Sequence, residues 1–154
     1  SINIVRSNGN IDSISVNNSS SDGLDIDFSN LLINSVTAST AHNDCVDFSS
    51  GKYNLGTLNL KKCKDKALSV GEKSFVELNE ITVNHANIGL ASKDSSEVNL
   101  KKASLKNTKI CLSAYNKKNE YNGGFIYVKK LKCENYNEKI NSDIYSKIIH
   151  NNKL

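Results

Sequence analysis

The stretch LDIDFSNLLINSVTASTAHNDCVDF, Leu24 to Phe48, decides the fold. It opens on Leu24-Asp25-Ile26-Asp27 and closes 22 residues later on Val46-Asp47-Phe48, the same aliphatic and acidic alternation. Two further pairs spaced by two lie between them, Leu31 with Ile33 and Val36 with Ala38. Period-two spacing puts the aliphatics on one face of an extended chain and the polar side chains on the other. Strands this short are not stable alone. They bury their apolar face by stacking on like strands from neighbouring repeats.

The same pattern extends in both directions. Ile2, Leu24, Val46, Leu68, Leu90 and Leu112 stand 22 residues apart, and a second column runs through Ile4, Ile26, Phe48 and Val70. A second short strand recurs as Leu31/Ile33, Tyr53/Leu55, Val76/Leu78, Val98/Leu100 and Ile126/Val128. A third recurs as Ile14/Val16, Val36/Ala38, Leu58/Leu60, Ile81/Val83, Ala103/Leu105 and Leu131/Cys133. Three short strands per 22 residues predict an all-β fold, a single-stranded parallel β-helix of six to seven coils over residues 1–154. Each coil should climb about 4.8 Å, giving a rod of roughly 30 Å. The general chirality of parallel crossovers predicts a right-handed coil.

One coil breaks the count. From Leu112 the equivalent position is Ile140, and the six extra residues fall within YNKKNEYNGG, residues 115–124. A solenoid accepts insertions at its corners, often on a binding face. Tyr115, Lys117, Lys118 and Tyr121 are the candidate ligand-binding residues: tyrosine stacks on a sugar ring and lysine pairs with its carboxylate. A plain solvated corner is the alternative. Residues 141–154 are expected to cap the C-terminal end, with Ile144, Ile148 and Ile149 turned onto the last coil. This tail is also the one place where a helical period is visible. The first strand, INIV, enters in mid-coil, and an open sheet edge invites self-association through the ends of the rod.

Composition narrows the partners. The net charge is +4, with 38% hydrophobic residues, no Pro, Met or Trp, and one Arg. Residues 1–60 carry two basic and six acidic side chains, whereas residues 61–154 carry eighteen and ten. An acidic end and a basic end suit an anionic polymer or a second copy of the chain. Scarce Arg and aromatics argue against specific nucleic-acid recognition. No apolar run is long enough for a transmembrane helix.

Polar registers gather the candidate chemistry. Asp25 stacks under Asp47, Asp27 lies beside them, and Asp22 stacks under Asp44, with Lys66 and Lys93 farther along the same face. Like charges at rung spacing need an offset. Three remain open: screening by Lys66 and water; Ca²⁺ held by Asp25, Asp27 and Asp47; or a raised pKa that fits one Asp for acid catalysis. Among the four cysteines no pair is adjacent and in register along a column, so free thiols are expected.

The phrases DGLDIDFSN, NDCVDFSSG, DKALSVGEKS and IGLASKDSS resemble right-handed parallel β-helix repeat proteins of the pectate-lyase-like and polygalacturonase-like group, over nearly the whole chain. Polygalacturonases place an Asn-Thr-Asp turn, a pair of Asp, Gly-His-Gly and Arg-Ile-Lys on successive coils. Here Asp22 and Asp44 match the carboxylates, Asp65-Lys66-Ala67 has no His, and Lys93 keeps the Lys without the Arg. The resemblance implies Asp22, Asp44, Lys66 and Lys93 as candidate catalytic residues and an extracellular or surface location. The expected function is a non-catalytic structural, carbohydrate-binding or partner-binding domain. The alternatives are a polysaccharide hydrolase or lyase, its inactive remnant, and a self-stacking module.

Overall fold

The computed structural model describes residues 1–151; residues 152–154 of the expected tail lie outside them. The chain winds into a parallel β-solenoid of about seven turns. Its strands are β1 (Ile2–Val5), β2 (Asn8–Ser19), β3 (Leu24–Asp27), β4 (Asn30–Ala41), β5 (Val46–Ser49), β6 (Lys52–Gly71), β7 (Phe75–Lys93), β8 (Glu97–Tyr115), β9 (Phe125–Ser142) and β10 (Lys147–His150). β2 and β4 each carry the second and third sides of a coil, and β6 to β9 run on through the next corner into the first side of the coil that follows.

The register is the one the repeat predicts. Leu24 pairs with Val46, Val46 with Leu68, Leu68 with Leu90, and Leu90 with Leu112. All five are fully buried, as are Ile26, Phe48 and Val70 in the next column. Complete burial of each such side chain contributes about 1.5–3 kcal/mol. Tyr53 stacks on Phe48 with ring centroids 4.4 Å apart, and its hydroxyl donates to the carbonyls of Ile26 and Ser49.

Two corners of each coil turn on residues in the left-handed region. One column is Arg6, Phe28, Ser50, Glu72 and Asp94; the other is Asn18, Thr40, Lys62, His85, Asn107 and Asn135. A side chain with a β-carbon is disfavoured there, and Asn is among the few that tolerate it. Part of the asparagine richness therefore follows from the corners. Asparagines also hydrogen-bond from rung to rung, Asn30 to Asn8, Asn107 to Asn84 and Asn135 to Asn107.

The insertion sits where the count breaks: Lys93 pairs with Tyr115 and Glu97 with Phe125, so the extra residues bulge between β8 and β9. The described part of the tail turns onto the last coil at Ile148 and Ile149, as expected, but not at Ile144. It adds a further rung, β10, with Ile148 opposite Ile126 and packed on the core. Ile149 pairs with Tyr127. Ile144 is 88% exposed, because Asp143–Ser146 is used in the turn that launches β10.

The expectation of four free thiols is also corrected. Cys45 and Cys63 form a disulfide, with Cα atoms 5.3 Å apart, and Cys111 and Cys133 are free. A search along columns finds bridges between rungs. This bridge runs within one coil, from the residue before its first strand to the corner after its third.

Candidate functional site

Asp25, Asp27 and Asp47 fall on the outer face of β3 and β5, as the alternation of those strands requires, and Asp22 and Asp44 stand at the corners just before them. What they do there differs by column. Asp22 Oδ1 accepts the backbone N–H of Asp44 at 2.9 Å and the Asn43 side-chain amide at 2.8 Å. Asp44 repeats this one rung on: its Oδ1 accepts the Lys66 N–H at 2.9 Å and the Lys66 ammonium at 3.2 Å. Lys66 also reaches Asp65 at 2.5 Å. The first two candidate catalytic carboxylates are thus corner caps, each holding the next coil. The Asp44 side chain is 4% exposed. Burial pushes its carboxyl up, and the Lys66 ammonium and N–H offset part of that. Burial opposes the charge on Lys66, but Asp65 and Asp44 outweigh it and hold the ammonium well above its ordinary range.

Asp25 and Asp47 are direct partners in the ladder. Asp25 accepts the Asn3 side-chain amide at 2.9 Å. Burial, then the charges of Asp27, Asp47 and Asp22, push its carboxyl up to about 6. Asp27 moves the same way, through burial and then Asp47 and Glu72. Asp47 Oδ1 is buried, with the Lys93 ammonium 4.0 Å away. Lys93 donates to Ser69 Oγ at 2.9 Å. It lies across Gly71, where a β-carbon would come within 2.7 Å of the Lys93 chain. Gly71 is therefore the residue that lets Lys93 reach back two coils toward the acidic end. Lys93 supplies a positive charge beside Asp47 that offsets part of this repulsion. Among the described residues no group of three or more His, Cys, Asp and Glu is placed to hold a metal ion.

The insertion loop is tied to the preceding corner and to itself by polar contacts. Asp94 is fully buried, and its Oδ1 accepts the N–H groups of Lys117 at 2.7 Å and Lys118 at 2.8 Å. The Asn116 side-chain amide donates to the carbonyls of Lys118, Tyr121 and Asn122. Of the four candidate ligand-binding residues, Lys118 is ion-paired with Glu72, and Tyr121 has the Lys73 ammonium 5.6 Å from its ring centroid. Tyr115 is half-buried and its hydroxyl is pushed up by burial; Lys117 is exposed. Sequence reasoning missed Asp94, Asn116 and Glu72 as supports of this loop. Their residue types look like ordinary corner polarity, and only burial sets Asp94 apart.

A second feature lies at the corner that joins the third strand of one coil to the first strand of the next. It is a groove of about 470 Å³ lined by Lys62, Lys64, Lys109, His85 and four asparagines, Asn87, Asn107, Asn135 and Asn137. Among the described residues no carboxylate lines it. Lys61 and Lys106 stand exposed just before the turn. The signal was present in the sequence: the residues after Cys63, Ala86, Thr108 and Tyr136 are Lys64, Asn87, Lys109 and Asn137, successive rungs of one column.

Comparison of the chain with family models, curated proteins and solved structures yields no match. No described helix is long and apolar enough to cross a membrane.

Proposed function

We propose that this chain is a non-catalytic β-helix domain of an extracellular or surface protein, and that it binds an anionic polysaccharide along its third corner. The observation that carries this reading is the groove, in which three lysines, a histidine and four asparagines converge with no carboxylate among the described residues. Lysine supplies charge, asparagine supplies hydroxyl-directed hydrogen bonds, and successive rungs about 4.8 Å apart offer a repeated contact to a polymer with one acidic group per sugar. The Cys45–Cys63 bridge favours an oxidising compartment. The resemblance to pectate-lyase-like chains favours a saccharide among anionic polymers.

The non-catalytic part rests on the acidic face. Asp22 and Asp44 are committed to backbone N–H groups and Asp44 to Lys66, so they do not form a free acid and base pair. One observation favours the alternative of a polysaccharide-active enzyme: the Asp25 carboxyl, raised to about 6, lies in the range a general acid uses. Incubation with uronic-acid polymers, with and without Ca²⁺, separates the two. Binding without new reducing ends or unsaturated products is the expected result. Cleavage that disappears in Asp25→Asn would replace this reading with the enzymatic one.

A further inference from the structure

We propose that Cys111 and Cys133 are the two halves of a second, reversible bridge, a thiol pair whose oxidation staples the coil that carries the insertion loop. The placement follows from the register. Cys111 follows Gly23, Cys45, Ala67 and Gly89 in the column just before the first strand, each one residue ahead of Leu24, Val46, Leu68 and Leu90. Cys133 follows Ala38, Leu60, Val83 and Leu105 on the inner face of the third strand. These two columns touch inside a coil. A β-carbon on Gly23 would lie 3.7 Å from that of Ala38, and one on Gly89 would lie 3.1 Å from a methyl of Leu105. One rung beyond Gly89 and Leu105 stand Cys111 and Cys133, so the register sets these two side chains against each other inside the coil.

The surroundings suit exchange. Cys111 is fully buried, with Thr108 Oγ1 3.5 Å from its sulfur, while Cys133 is only partly buried against the core. The hydrogen bond from Cys133 brings the Cys111 thiol down to about 7, against the effect of burial. The same contact pushes Cys133 up. The Cys45–Cys63 bridge differs, since both of its sulfurs are buried in the interior of the rod.

The oxidant is a small-molecule disulfide of the glutathione class. Cys133, the sulfur within reach of solvent, passes its proton to the Cys111 thiolate and attacks this small disulfide, forming a mixed disulfide and expelling one small thiolate. The remaining protein thiol loses its proton and attacks the protein sulfur of that mixed disulfide, releasing the second small thiol. The two cysteines lose two electrons and two protons, and the small disulfide gains them.

The test uses the full chain equilibrated in defined ratios of oxidised to reduced glutathione, quenched with acid and mapped by mass spectrometry without reduction. The expected result is a Cys111–Cys133 linked peptide that appears as the ratio rises and disappears as it falls, while Cys45–Cys63 persists. Closing a loop of this length should raise the Tm by about 5–10 °C. Cys133→Leu, which restores the residue of the adjacent rung, Leu105, should abolish that rise. Two free thiols in excess oxidised glutathione, or accumulation of glutathione adducts without the bridge, would overturn the proposal. So would an undiminished Tm rise in Cys133→Leu.

Discussion

Asp44 Oδ1 accepts both the backbone N–H of Lys66 at 2.9 Å and its ammonium at 3.2 Å. One oxygen thereby holds the corner of the next coil and neutralises the lysine that sits on it. The side chains are 4% and 12% exposed, so each charge depends more on its partner than on water. Lys66→Met leaves Asp44 buried and unpaired and should cost about 3 kcal/mol in urea unfolding. Asp44→Asn keeps an acceptor for the N–H and leaves Lys66 its contact with Asp65, so it should cost less. Equal losses would contradict this assignment.

Asp25 carries the opposite kind of strain. Its carboxyl is raised to about 6 from an ordinary 3.8, so the folded chain holds that proton more tightly than the unfolded chain. The resulting stabilisation is fully present below about pH 4 and is lost as the pH rises through about 6. Asp25→Asn removes the charge while still accepting from Asn3. Thermal melts should show the variant above the native chain at pH 8 and level with it at pH 4. A variant that melts lower at pH 8 would show that the Asp25 charge is stabilising.

Thr40 is a β-branched residue held at φ 58°, in a corner column where Asn18, Asn107 and Asn135 occupy the same conformation. Left-handed backbone costs such a residue about 1–2 kcal/mol. Thr40→Asn should therefore raise the Tm by roughly 2–4 °C. No gain would mean that contacts of the half-buried threonine outweigh its backbone strain.

Non-reducing peptide mapping of freshly folded protein should find Cys45 linked to Cys63. The double substitution Cys45→Ala/Cys63→Ala should lose about 3 kcal/mol, the loop-closure value for a bridge of this span. A bridge within a single coil clasps that coil shut, so the loss should appear as earlier unfolding of the central coils in hydrogen exchange.

The columns Leu24–Val46–Leu68 and Ile26–Phe48–Val70 were legible because an apolar period of 22 is a direct record of strand stacking. The six-residue insertion was legible for the same reason: it displaces Ile140 from its column. The roles of polar residues were not. Asp22 and Asp44 read as two like charges, and their task as caps depends on the direction of the N–H groups of Asp44 and Lys66, which the residue types do not record. Cys45 and Cys63 were missed because their bridge crosses a coil instead of joining neighbouring rungs. Lys118 and Tyr121 were readable as ligand-type residues. Their engagement by Glu72 and Lys73 depends on how the loop folds back over an earlier coil.

The central claim is tested most directly by calorimetric titration of uronic-acid oligosaccharides into the full chain, beside the triple variant Lys62→Asn/Lys64→Ser/Lys109→Ser. Lys62→Asn suits its left-handed corner, and the other two positions are exposed, so the variant should keep its fold and Tm. The account predicts salt-sensitive binding by the native chain, weakened about tenfold or more in the variant and unchanged in Lys117→Ser. Equal affinity of the native chain and the triple variant, or no binding at low salt, would contradict it.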